Sequence, residues 1–187
     1  MKKIILLNAP PGSGKDFGAD FIVNNFKGAK KDKFARVLKE RTHALYGFPS
    51  RGHDYYEAVK NKPNKDFYDL TPRQAYINVS ELYFKPVHGN SIFGNILADE
   101  LDRYAWEIVV ISDSGFVEEA QVLINKYGKE NVILIQIERD GCDFNNDSRS
   151  YIDLGSDICT ALVSNDGTDS YTDILKSIVN SIIDYES

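Results

Sequence analysis

The segment Ala9-Pro10-Pro11-Gly12-Ser13-Gly14-Lys15-Asp16 constrains this chain more than any other part of it. It follows the apolar run Ile4-Ile5-Leu6-Leu7 and precedes a helix-like stretch over residues 17–26. A buried strand, a glycine-rich turn and a helix N-terminus, in that order, form a phosphate-binding loop. Gly12 and Gly14 can take backbone conformations that a side chain forbids, which lets N–H groups turn inward. The positive end of the helix dipole and the Lys15 ammonium then meet the negative charge of a nucleotide. Gly12, Ser13, Gly14, Lys15 and Asp16 are therefore the expected nucleotide-phosphate site. The alternative is a turn that only joins a strand to a helix and leaves Lys15 solvated.

Two positions depart from the usual G-x-x-x-x-G-K-[ST] pattern. Ala9 stands where the first glycine would be, and Asp16 where a hydroxyl residue ordinarily ligates magnesium. A carboxylate is also a hard oxygen ligand, but it adds negative charge beside the phosphates.

Composition narrows the partners. With 187 residues, 42% of them hydrophobic, the chain can bury one good core. A net charge of −6 gives no electrostatic footprint for duplex nucleic acid or an anionic membrane. Cys142 and Cys159 are far apart and outside metal-ligand spacing, so a reduced cytoplasmic protein is expected. Residues 1–7 are basic and then apolar, but the apolar run is too short for a secretory signal and no later run is long enough to span a membrane.

Further apolar, β-branched runs at 107–112, 131–137 and 161–164 predict buried parallel strands, with a weaker one at 31–34. Helical spacing occupies 36–45, 72–84, 95–104, 117–127 and 171–185. Strands alternating with helices predict one α/β domain over 1–187, a central parallel sheet of about five strands with helices on both faces. Residues 48–70 and 140–157 lack periodicity and read as insertions, the first on an acceptor side and the second a lid. Both should emerge at the carboxyl ends of the strands, where open α/β sheets bind ligands.

Asp113 ends a buried strand, where a carboxylate can order magnesium or its waters; alternatively it caps the helix beginning near Phe116, and one side chain can do both. Phosphoryl transfer also needs cations able to fork onto two oxygens, for which Arg73, Arg139 and Arg149 are candidates. Arg139 and Arg149 flank the expected lid, and Arg73 opens a helix. Asn165-Asp166-Gly167 is a turn after the last strand that could sit near the adenine of a bound nucleotide. His43, His53 and His88 have no spacing that suggests metal or triad chemistry.

Taken together these residues resemble the bacteriophage deoxynucleoside monophosphate kinases, a branch of the P-loop kinases. The resemblance runs through Gly14-Lys15-Asp16 with Ala19-Asp20-Phe21, Phe34-Ala35, Leu38-Lys39, Thr71-Pro72-Arg73, Ile111-Ser112-Asp113, Arg139 and Ser164-Asn165-Asp166-Gly167. It implies transfer of the γ-phosphoryl group of ATP to a deoxynucleoside 5′-monophosphate. Lys15 and the loop, with Asn165 and Gly167, would bind ATP, and Asp16 and Asp113 would organise Mg²⁺. Lys39, Arg73 and Asp113 would hold the acceptor, while Lys15, Arg139 and Arg149 neutralise charge in transit. The family often carries an arginine two residues after the strand-end aspartate, where this chain has Gly115, so Arg36 or Arg41 could substitute. The resemblance further implies nucleotide partners, a second copy of the chain as a candidate partner, and the host cytoplasm if the chain is phage-encoded. Other readings are a small-molecule kinase of the dephospho-coenzyme A or phosphomevalonate type, or a nucleotide-binding module without catalysis.

Overall fold

The structure is a computed structural model and describes residues 2–47, 53–145 and 147–184. Five strands, β1 (Lys3–Asn8), β2 (Ala29–Asp32), β3 (Ile108–Ser114), β4 (Val132–Glu138) and β5 (Cys159–Ser164), form one parallel sheet in the order β2-β3-β1-β4-β5. The helices are α1 (Lys15–Asn25), α2 (Phe34–Leu45), α3 (His53–Ala58), α4 (Pro72–Val79), α5 (Lys85–His88), α6 (Ile92–Leu101), α7 (Val117–Tyr127) and α8 (Asp169–Asp184). The three central strands are continuous apolar runs because both of their faces are covered. One face packs Ile4, Leu6, Val109 and Leu134 against α2, α6 and α7. The other packs Ile5, Leu7, Val110 and Ile135 against Ala19 and Ile22 of α1 and Tyr171 and Leu175 of α8.

The expected α/β architecture is present, with local corrections. The weak second strand lies at Ala29–Asp32, not 31–34, because Phe34 belongs to the first turn of α2. The segment 48–70 is not structureless. Residues 48–52 lie outside the described residues, but beyond them α3 and a short 3₁₀ turn (Lys65–Phe67) place Tyr56 and Phe67 in a small aromatic core with Ala75 and Tyr76. His43 is buried there, its Nε2 2.9 Å from the Tyr76 hydroxyl, a packing role in keeping with its lack of metal or triad spacing.

The helix expected at 72–84 begins with a capping box, Thr71 accepting from the Gln74 amide and Gln74 from the Thr71 amide. It then widens into a π-helical turn, Ser80–Phe84, before α5. Pro86 follows that turn and has no amide hydrogen to continue the ladder. Among the described residues no helix is long and apolar enough to cross a membrane.

Candidate active site

Because every strand is parallel, the residues that follow the strands gather at one edge of the sheet. The loop 9–16 lies there between β1 and α1. Gly12 and Gly14 have φ of 81° and 94°, in the left-handed region that only glycine occupies at no cost. A Cβ on Gly14 would also lie 2.2 Å from Nδ2 of Asn165, so this position excludes a side chain twice over. Gly14 is the N-cap of α1 and supplies no side-chain acceptor, which leaves first-turn amides for an anion.

Lys15 is not solvated as a simple turn would leave it. It is 8% exposed, and its Nζ donates to the Pro10 carbonyl at 3.0 Å, as does the Ser13 hydroxyl at 2.8 Å. Burial, then the Arg149 charge, pulls its pKa below the usual lysine value against the opposing pull of Asp16 and Asp147. An ammonium has three donors, so two remain for phosphate oxygens.

Asp16 Oδ1 pairs with Lys33 Nζ at 2.6 Å and accepts from the Ser112 hydroxyl at 3.3 Å. Partial burial works against the carboxylate, but the Lys33 hydrogen bond and the charges of Lys33, Lys31 and Lys15 outweigh it and hold its pKa below the usual range.

Asp113 does not cap α7, whose N-cap is Phe116. It caps α2 instead: Oδ1 accepts from the Phe34 amide and Oδ2 from the Ala35 amide, both at 2.9 Å. The α2 N-cap residue, Lys33, provides no side-chain acceptor of its own. Burial raises the Asp113 pKa, opposed by these two amides and by Lys33 and Arg149.

On the other side of β1, Asn165 Nδ2 donates to the Ser13 carbonyl at 2.7 Å, and the Gly167 amide returns to Asn165 Oδ1 at 3.1 Å. The turn after β5 thus braces the loop 9–16 through a side chain. Arg139 is exposed, its guanidinium 3.4 Å from the Gly12 carbonyl.

In the segment expected to be a lid, Arg149 is half-buried and forks onto Asp147, with Nε–Oδ1 at 2.9 Å and Nη2–Oδ2 at 2.6 Å. Its stem lies over Gly115, where an added Cβ would come within 2.4 Å of Arg149 Cγ. The C-terminal part of this segment is anchored, since the Asn8 amide spans the Ser114 and Ser150 carbonyls and Asn8 Oδ1 accepts from the Ile152 amide.

Between α2, α4, α7 and residues 147–149 lies a cleft of about 530 Å³. Lys39, Lys60, Arg73, Lys85 and Arg149 bring cations to it, and Phe34, Phe93 and Phe116 bring aromatic surface. Lys39 and Lys60 are held by Glu57 at 2.7 and 2.6 Å. Burial disfavours the Glu57 charge, yet hydrogen bonds from the two lysines outweigh it and bring its pKa to about 2. Arg73 bonds Asn61 through Nε at 3.0 Å. Arg36 and Arg41 do not line the cleft: Arg36 is tied to Asp32, Glu40 and Glu100, and Arg41 to Glu100. Neither can stand in for an acceptor-phosphate arginine without leaving those partners.

Sequence reasoning missed Lys33, Asn8, Gly115 and Glu119. Lys33 was hidden because the second strand, expected at 31–34, would contain it; the strand ends at Asp32 and leaves Lys33 at the sheet edge.

No protein-family model matches the sequence, and no curated protein matches it. Solved structures do match. An unliganded sugar kinase from Janibacter sp. HTCC2649 aligns with a TM-score of 0.55 at 9% identity, covering 98% of this chain and 95% of that one. A gluconokinase from Sinorhizobium meliloti 1021 aligns at 0.50 and 9%, covering 100% and 97%. The chain shares its fold, a parallel five-stranded sheet flanked by helices, with these two kinases. At this identity the likeness concerns the fold alone, so the acceptor must be argued from the site.

Proposed function

We propose that the protein is a kinase that transfers the γ-phosphoryl group of ATP to a deoxynucleoside 5′-monophosphate, releasing ADP and the diphosphate. The observation that carries this reading is the cleft beside the loop 9–16, which combines five cations, partly balanced by carboxylates, with three phenylalanines. An acceptor with a phosphate and a flat apolar body matches both.

In this reading Gly12, Ser13, Gly14 and Lys15 hold the ATP phosphates, with Asn165 and Gly167 beside them. Lys39 and Arg73 hold the acceptor phosphate, with Lys39 exchanging Glu57 for it. An acceptor-phosphate oxygen forms the new bond to the γ-phosphorus as the bond to the bridging oxygen of ADP breaks. Catalysis is then positioning and charge neutralisation, the latter from Lys15, Arg139 and Arg149. Segment 53–76 serves as the acceptor wall and 140–157 as the lid.

The donor set fits Mg²⁺, which is usually held by one or two carboxylates together with substrate phosphates. Asp16 Oδ2 makes no hydrogen bond to any described residue and would be the direct ligand. Asp113, whose two oxygens already serve α2, would act through water. When bound, the ion would neutralise phosphate charge.

The test is ADP formation with each deoxynucleoside monophosphate, beside gluconate, dephospho-coenzyme A and phosphomevalonate. Arg73→Ala is expected to raise the acceptor KM with a smaller effect on ATP, and Arg149→Ala chiefly to lower kcat. Activity on a control acceptor and on no nucleotide overturns the acceptor class, and no ADP from any acceptor overturns the kinase reading.

A further inference from the structure

Glu119 is the third residue of α7 and only 4% exposed. A glutamate at this position commonly reaches back to the N-cap amide, but no side chain caps α7. Glu119 makes no hydrogen bond or ion pair with any described residue. The Ser114 hydroxyl is the one fully enclosed side-chain polar atom without a partner among the described residues, so the Glu119 oxygens are not fully enclosed, and Glu119 lines the acceptor cleft. Burying a carboxyl without a partner is costly, and a folded chain gains nothing from it unless a ligand completes the bonds.

The surroundings say what kind of ligand. Phe93 and Phe116 line the same cleft, and Lys85 Nζ lies 4.7 Å from the Phe116 ring centroid. The charged groups acting on Glu119 are Asp113 on β3, Glu118 on its own helix, Lys85 on α5 and Arg149 on the lid. Burial is the largest influence, Asp113 and Glu118 add to it, and Lys85 and Arg149 oppose it, leaving the carboxyl pKa near 8. In either protonation state the group keeps an acceptor oxygen, and as the neutral acid it presents a donor beside it. A nucleobase edge offers the complementary pair, donor beside acceptor, on a flat ring.

We propose that Glu119 hydrogen-bonds the base edge of the acceptor nucleotide in a subsite walled by Phe93 and Phe116, and so sets which acceptors are used. This rests on the kinase reading above.

The test compares wild type, Glu119→Met and Glu119→Gln. Methionine keeps length and removes polarity; glutamine keeps a donor and an acceptor. Deoxynucleoside monophosphates serve as substrates, and 2-deoxyribose 5-phosphate, the same acceptor without its base, as a competitive inhibitor. Glu119→Met is expected to raise the nucleotide KM about tenfold or more, with Glu119→Gln staying within about threefold of wild type, as loss of a hydrogen bond to a buried carboxyl implies. The inhibition constant of 2-deoxyribose 5-phosphate and the KM for ATP should not change in either variant. Glu119→Met should also melt no lower than wild type, since it removes an unpaired buried carboxyl.

An unchanged nucleotide KM in Glu119→Met, a parallel loss of affinity for 2-deoxyribose 5-phosphate, or a lower melting point in that variant would each overturn the inference. Wild type that phosphorylates no nucleotide overturns the underlying function instead, and is distinguished because no variant is needed to see it.

Discussion

Gly115 and Arg149 are packed so closely that neither position can be understood alone. An added Cβ at Gly115 would meet Cβ, Cγ and Cδ of Arg149 at 2.4–2.6 Å. These are the inner atoms of the side chain, so a small rotation of the guanidinium does not relieve the clash. The whole side chain must leave, and with it the fork onto Asp147. Gly115 does not occupy the left-handed region, so alanine introduces no backbone strain there. Gly115→Ala is expected to lower kcat about ten- to hundredfold while changing the ATP KM little, the pattern of a displaced charge-neutralising group. Steady-state kinetics checks it; an unchanged kcat would remove Arg149 from the transition state.

Glu119 gives a pH-dependent prediction at the same scale. Its pKa rises from an ordinary 4.5 to about 8 on folding, so folding favours the neutral form. That contribution is fully present below the unfolded value and is lost as pH rises through about 8. The ligand-free protein should therefore lose stability relative to Glu119→Gln between about pH 5 and 8, as paired thermal melts would show. At this scale the strand, turn and helix around residues 9–16 were legible, because Gly12 and Gly14 fix the turn through their own backbone within one short segment. Gly115 was not, because the atom that forbids its side chain belongs to a residue 34 positions later. Glu119 was hidden too, since a glutamate in the first turn of an amphipathic helix ordinarily complements the dipole.

At the scale of elements, α2 takes its N-terminal cap from a neighbouring strand. Its own N-cap, Lys33, turns toward Asp16, and Asp113 supplies the acceptors for Phe34 and Ala35. One carboxylate thereby ties β3 to the helix that carries Lys39. Asp113→Ala should destabilise the fold by about 0.5–2 kcal/mol, the usual cost of losing a helix cap. Chemical denaturation measures it, and a loss confined to activity would mean that Asp113 serves ligand alone. The expectation of a cap at Asp113 was sound, but the helix was wrong. Sequence proximity points to α7, and only the pairing of β2 with β3 brings α2 within reach. The segment before α4 was illegible for a related reason. Tyr56 and Phe67 follow no helical or strand period, because they pack against α2 and α4 across a turn.

For the whole molecule, the strand order is what makes one site of distant segments. Placing β1 between β3 and β4 brings the phosphate loop, Asp113 and Arg139 to adjacent strand ends, and β5 adds Asn165. The sequence led us to expect a parallel sheet with the Asp113 strand beside the first strand, as the strand order has it, but alternation of strands and helices does not encode the full order. Adjacency has a consequence that binding measurements can reach. A ligand present at about a hundred times its dissociation constant adds about 2.7 kcal/mol of stability, or roughly 5–10 °C for a chain of this size. ATP should raise the melting temperature by such an amount in wild type and far less in Lys15→Ala, which loses the buried ammonium at the loop. The acceptor shift should survive in Lys15→Ala, because the cleft cations are separate residues. A compound joining adenosine to a deoxynucleoside through a polyphosphate should exceed the ATP and monophosphate shifts combined, since the second contact becomes intramolecular once the first is made. Differential scanning fluorimetry of the two proteins with the three ligands is the measurement. A linked compound that stabilises no better than ATP alone would mean that the phosphate loop and the cleft do not serve one reaction.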